Sequence, residues 1–213
     1  MCELENQFEK FEKFEKFEKF EKFEKFEKFE KFEELICGKG CCKLNFTKLI
    51  HKFKPDLKTN KTTTKRESAG VAILKKEKEN VNKILLTQSY NNMWGVPKGK
   101  QERGETLIEC ACREVLEEAG ISISLESLKD SSVLKYTPVY DKNLTIHIFV
   151  YNMTDMDMIT WNLENIRMDN LHFDSTGLGW ANINCLLNEK KPKPKLNALT
   201  RFVTKQLSKN FIQ

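Results

Sequence analysis

Three features that would assign this chain to a compartment are missing. No early apolar run resembles a signal peptide, and no stretch approaches the length of a membrane-spanning helix. The seven cysteines are odd in number and unevenly spaced, so no disulfide framework is expected. Cys37, Cys41 and Cys42 form a cluster, CGKGCC, but a second ligand pair at zinc-finger spacing is missing. These absences predict a soluble, cytoplasmic protein with reduced thiols and no membrane partner.

Charge is plentiful and unevenly placed. Residues 1–34 hold twelve Glu against eight Lys, a net of −4, so the rest of the chain must carry +9 to reach the total of +5. A basic folded part suits a polyanionic substrate by steering it, without identifying it. The acidic segment is low in complexity: eight Phe-Glu-Lys triplets run from Phe8 to Lys31, followed by Phe32-Glu33-Glu34. On an α-helix a three-residue period turns each Phe about 60° from the last, so no fixed apolar face results. Glu at i and Lys at i+4 favour a solvated helix. The row of Phe makes self-association through this tail the corresponding partner expectation. Because the repeat has no fixed core face, deleting residues 1–34 is expected to leave the remainder folded and active.

The expected organisation is a repeat (1–34), a short segment and linker (35–65), and one folded domain (66–213). Apolar spacing over 43–53 suggests a short helix. Strands are expected at Ser68–Lys75, Lys83–Ser89, Val133–Val139 and Leu144–Tyr151. Residues 152–170 form a polar excursion, a further element begins at Gly179, and a helix over Leu196–Lys209 closes the chain. Strands on both sides of an internal helix predict an α/β (α+β) fold, a mixed sheet covered on both faces. His147, within the alternation of its strand, is read as structural.

The chemistry concentrates in Trp94–Ile121, WGVPKGKQERGETLIECACREVLEEAGI. Thr106 and Glu109 have capping-box spacing, and Gly120 can stop the helix in the left-handed conformation. Glu114, Glu117 and Glu118 then share one helical face, beside an apolar face of Ile108, Ala111, Cys112, Val115 and Ala119. Three crowded carboxylates disfavour a bare helix, and a divalent cation removes the conflict. Mg²⁺ or Mn²⁺ suits an all-oxygen set. Arg113 is placed to pair with Glu105 or with a metal-bound carboxylate and hold it. Lys98 and Lys100 can meet phosphate oxygens as point charges.

The pattern Gly99-x5-Glu105-x7-Arg113-Glu114-Val115-x-Glu117-Glu118-x-Gly120-Ile121 fits the Nudix box at every defined position. The resemblance implies hydrolysis of a phosphoanhydride bond, with the Gly99 carbonyl as a further metal ligand. In several Nudix enzymes a Glu six residues before a late Trp acts as base or binds metal. Here Asp174 has that spacing to Trp180 but is one methylene shorter, and Glu117 is the alternative base within the box. The runs Trp94–Lys100 and Cys110–Val115 resemble the catalytic domain of the mRNA-decapping subunit, which has truncated and viral relatives. That likeness implies cleavage of a 5′ cap to m7GDP and 5′-monophosphate RNA. That family's helical regulatory domain has no counterpart among the thirty or so non-repetitive residues before the domain, so an activator partner does not carry over.

Small phosphorylated metabolites, diphosphoinositol or dinucleoside polyphosphates, remain the alternative substrates. A non-catalytic binding module is the third reading, opposed by the full set of box carboxylates. Lys190, Lys191, Lys193 and Lys195 alternate with Pro192 and Pro194 and could track an RNA backbone.

Overall fold

In the computed structural model the described residues are 31–35, 43–47, 64–77, 81–89, 93–154, 157, 161, 163, 171–172, 175–188 and 196–210, the two shortest N-terminal pieces by backbone only. Nine strands and four helices are described. In chain order they are β1 (Lys31–Leu35), β2 (Lys43–Thr47), β3 (Arg66–Glu77), β4 (Val81–Ser89), β5 (Trp94–Gly95), β6 (Lys98–Lys100), α1 (Leu107–Ala119), α2 (Leu125–Lys129), β7 (Val133–Tyr136), β8 (Leu144–Asn152), β9 (Ser175–Asn182), α3 (Ile183–Leu187) and α4 (Ala198–Asn210).

One sheet joins them in the order β1-β2-β9-β4-β3-β8-β7, with β5 on β4 and β6 on β3. The β3–β8 pair is parallel and its neighbours are antiparallel, so the sheet is mixed. The apolar run Ala69–Leu74 makes β3 a central strand, because a strand buried on both faces needs no polar alternation. Ala69, Val71 and Ile73 pack toward Cys110, Ala111, Val115 and Ala119 of α1. Ala72 and Leu74 join the opposite core with Ile183 and Leu186 of α3 and Leu199, Val203 and Leu207 of α4. Helices therefore cover both faces, the expected Nudix architecture.

The segment that carries Pro97 and the β6 residue Gly99 is fastened from two sides. The Val71 amide donates to the Pro97 carbonyl at 3.1 Å, and Gly70 lies so close that an added Cβ would overlap the Pro97 carbonyl and the Lys98 side chain. On the other side Trp94 is 1% exposed, and the Val96 amide donates to the Thr200 hydroxyl of α4 at 3.1 Å.

Several local expectations need correction. Residues 43–47 form a strand, β2, rather than the start of a helix, because their backbone pairs along β9 from Lys43–Trp180 to Phe46–Gly177. The end of the repeat, Lys31–Leu35, is likewise a strand and not helix; residues 1–30 lie outside the described residues. β7 stops at Tyr136, since a turn closes at Asp141, whose amide donates to the Pro138 carbonyl at 3.1 Å. β9 begins at Ser175, earlier than Gly179. Two five-residue helices, α2 and α3, escaped the sequence reading although each has a capping side chain, Ser124 and Asn182. Among the described residues no helix is long and apolar enough to cross a membrane.

In solution dilute enough to keep the chain monomeric, a truncation at residue 30 keeps β1 and should leave thermal stability and catalytic rate unchanged. A fall of several degrees in melting temperature would show that residues 1–30 pack on the domain. Extending the cut through Thr47 removes β2 from β9, and a measurable loss of stability is expected.

Candidate active site

Helix α1 is built by the predicted local signals. The Thr106 hydroxyl accepts from the Glu109 amide at 3.2 Å, and the Glu109 carboxylate accepts from the Thr106 amide at 2.7 Å. Gly120 ends the helix at φ 67° with its amide donating to the Leu116 carbonyl. The core face is rotated slightly from the expected one. Cys110 is fully buried, while Ile108 and Cys112 are only half-buried against the core. Burial pushes the Cys110 thiol up to about 11, which makes it a packing residue and not a nucleophile.

The glutamates divide into two groups. Arg113 presents its fork to Glu105, with Nε at 3.1 Å from Oε2 and Nη2 at 2.8 Å from Oε1. Its Nη1 donates to Glu114 at 2.8 Å and to Glu117 at 3.2 Å. The Arg113 hydrogen bond holds the Glu105 carboxyl below its usual range. Glu118 points elsewhere, accepting from the Thr87 hydroxyl at 3.1 Å and the Lys98 amide at 3.2 Å. Burial pushes Glu118 up to about 7, with nearby Glu114 adding to the shift and Lys98 opposing it. Burial also raises Glu114.

These residues fit a divalent cation. Two carboxylates are held in surroundings that penalise their charge, and every donor is a hard oxygen. Gly99 lies directly beneath Glu114: an added Cβ there would overlap the carboxylate, so the Gly99 backbone and that side chain are neighbours. Among the described residues no three acidic, His or Cys groups already converge as a ligand set. Arg113 holds one oxygen of Glu114 and one of Glu117, and Thr87 with Lys98 holds one oxygen of Glu118, so these bonds leave the second oxygen of each carboxylate for a cation.

A cleft of about 680 Å³ opens over this face, lined by Lys98, Gly99, Lys100, Arg113, Glu114, Glu117 and Glu118 together with Gln101, Glu102, Arg103 and His172. Arg103 and His172 escaped the sequence reading; Arg103 sits in the box spacer, and only the fold brings His172 back. Asp174 lies outside the described residues. Its flanks are tied to the last turn of α1: the His172 amide donates to the Glu117 carbonyl at 2.8 Å, and the Ser175 hydroxyl to the Glu118 carbonyl at 2.6 Å. Lys190, Lys191, Lys193 and Lys195 also lie outside the described residues. His147 is away from the cleft lining, in register with Ala69 on the side opposite Gly99. Its Nε2 is 3.3 Å from a Glu67 carboxylate oxygen but lacks a well-aligned hydrogen bond.

The NUDIX domain model matches residues 64–176. Protein 111R of Invertebrate iridescent virus 3, named as a hydrolase, is 29% identical over 179 residues, covering 83% of this chain and 90% of that one. The m7GpppN-mRNA hydrolase NUDT17 of Danio rerio is 31% identical over 104 residues, 43% of this chain; the chain spans 34% of NUDT17. A solved Ap4A hydrolase of C. elegans is 19% identical, with 68% of this chain and 96% of that one covered at a TM-score of 0.44, too loose a likeness to argue from. With the box residues Gly99, Arg113, Glu114, Glu117 and Glu118 lining one cleft and more than half its length inside the family model, this chain belongs to the NUDIX family and is a pyrophosphohydrolase.

Proposed function

We propose that this enzyme removes the 5′ cap of RNA, releasing m7GDP and a 5′-monophosphate end. The observation that carries the reading is the run Trp94–Lys100, which leads the box as in the decapping subunit. The partial match to NUDT17 supports it. In this reading Glu114, Glu117, Glu118 and the Gly99 carbonyl hold Mg²⁺ or Mn²⁺. The bound cation would polarise phosphate oxygens and make water a better nucleophile. Glu105 keeps Arg113 in place, and Arg113 in turn orients Glu114 and Glu117. Lys98 and Lys100 line the cleft and offset the negative charge of the phosphate chain. Asp174 or Glu117 takes the proton from the attacking water. The water oxygen bonds to phosphorus, and the phosphoanhydride P–O bond breaks with the electron pair leaving on the departing phosphate.

The test compares rates, in Mn²⁺, on cap-labelled RNA, free cap dinucleotide, diphosphoinositol phosphates and diadenosine polyphosphates. Release of m7GDP from RNA as the fastest reaction is expected. Faster hydrolysis of either metabolite class would replace the cap by a small phosphorylated substrate.

The Lys190–Lys195 segment offers a second discrimination. If it follows RNA beyond the cap, changing its four lysines to Ala should weaken capped-RNA binding and flatten the salt dependence by about 0.7 per lost contact. Hydrolysis of the cap dinucleotide should stay as it was. Equal losses on both substrates would remove this segment from the RNA path.

A further inference from the structure

The Phe-Glu-Lys repeat has no place in the chemistry of the cleft, yet its last residues enter the sheet. Strand β1 is the outermost strand on its side among the described residues, antiparallel to β2 with Phe32 opposite Phe46. An edge strand presents backbone N–H and C=O groups that another strand can pair with. The sequence running into β1 is itself eight triplets long.

What such a repeat accepts follows from its period. Laid antiparallel on itself, it has three distinct registers. One places every Phe opposite Phe and every Glu opposite Lys. A second sets Lys against Lys with Phe against Glu, and the third sets Glu against Glu with Phe against Lys. Parallel pairing in register opposes like charges throughout, and its other two offsets put Phe against a charge. Facing aromatic pairs and opposite charges stabilise a sheet, whereas like charges directly opposite destabilise it. One antiparallel register therefore satisfies all three residue types at once, and a slip of three residues restores it.

We propose that the outer edge of β1 receives the Phe-Glu-Lys repeat of a second copy of this chain, antiparallel and in that register. For the nearest such alignment Phe32 faces the partner's Phe29, Lys31 the partner's Glu30, and Glu33 the partner's Lys28. The triplet at 32–34 ends in Glu, so Glu34 meets the partner's Glu27, and this mismatch marks the domain end of the paired stretch. Self-association then depends on the order of charges within each triplet, not merely on the number of Phe residues.

The experiment uses the full chain and a variant in which Glu and Lys are exchanged within each triplet from Phe8 to Lys31. Composition, charge and Phe positions stay the same. Each sequence can still pair antiparallel with itself, but a mixed pair opposes Glu to Glu and Lys to Lys. With the two chains under different tags and mixed at equal concentration, like-with-like recovery should exceed mixed recovery by at least about tenfold. Sedimentation should show both full chains associating and the chain cut at residue 30 monomeric with its hydrolytic rate intact. A monomeric full chain, or association that persists after the cut, overturns the proposal. So does free mixing of the two sequences, including in aggregates, or a preference for mixed pairs, which would mean parallel strands.

Discussion

Glu118→Gln should lower the hydrolytic rate at saturating Mg²⁺ by more than a hundredfold while the fold survives. Removing even the outer partners of metal ligands typically costs about 10–100-fold, and a lost ligand should exceed that. Gln keeps the length of the side chain, and its amide oxygen can still accept from the Thr87 hydroxyl and the Lys98 amide, which hold Glu118 at 3.1 and 3.2 Å. Stability should move the other way. In chelator, Glu118 has a folded-state pKa of about 7, above the ordinary value of 4.5. The folded state then binds more protons than the unfolded chain between those values, so this group makes stability fall as pH rises through that window. Gln does not titrate. The melting temperature of Glu118→Gln relative to the natural protein should therefore increase from pH 5 to pH 8. Near-normal turnover would remove this helix face from the metal site, and a variant that melts much earlier at every pH would show that the carboxylate is needed for folding.

The second large effect concerns Gly70. Its Cα faces the Pro97–Lys98 backbone so closely that an added methyl overlaps the Pro97 carbonyl and the Lys98 side chain, and backbone yields less easily than a side-chain tip. Gly70→Ala should cost about 1–3 kcal/mol, the usual range for overpacking a tight site. For a domain of this size that is a drop of roughly 3–10 °C in melting temperature. The consequence reaches the chemistry. Pushing β6 away from β3 displaces the Lys98 amide from Glu118 and Gly99 from Glu114, so turnover should fall together with stability. Gly104→Ala is the comparison: its φ of 90° is unfavourable for Ala, but nothing lies within 4 Å of an added methyl. Some backbone strain is expected there, without displacement of β6. If Gly70→Ala matches the natural protein in both melting and rate, the close approach of β3 and β6 is not what positions the box loop.

Much of the site was readable before any fold was known, because its central part is local. Thr106, Glu109 and Gly120 set the ends of α1, and helical geometry alone puts Glu114, Glu117 and Glu118 on one face. Arg113 and Glu105 sit eight residues apart, within one loop-and-helix unit, so their pairing could also be anticipated. The misreadings fall where a distant backbone decides. Residues 43–47 have apolar spacing that suggests helix, yet they become strand by pairing with β9. The short strands β5 and β6 are likewise set by pairing with β4 and β3.

The sequence by itself determined the catalytic helix, its caps, its acidic face and the family pattern, since all of these depend on spacing along a single turn-by-turn geometry. Only the tertiary structure decided which carboxylates are costly to ionise. Glu118 is raised because β4 and β6 close over it and exclude water, a shift that the Thr87 hydroxyl and the Lys98 amide oppose, and Glu114 is buried because Gly99 leaves it room. Desolvation depends on what packs around a group from far along the chain, and helical spacing carries no record of that.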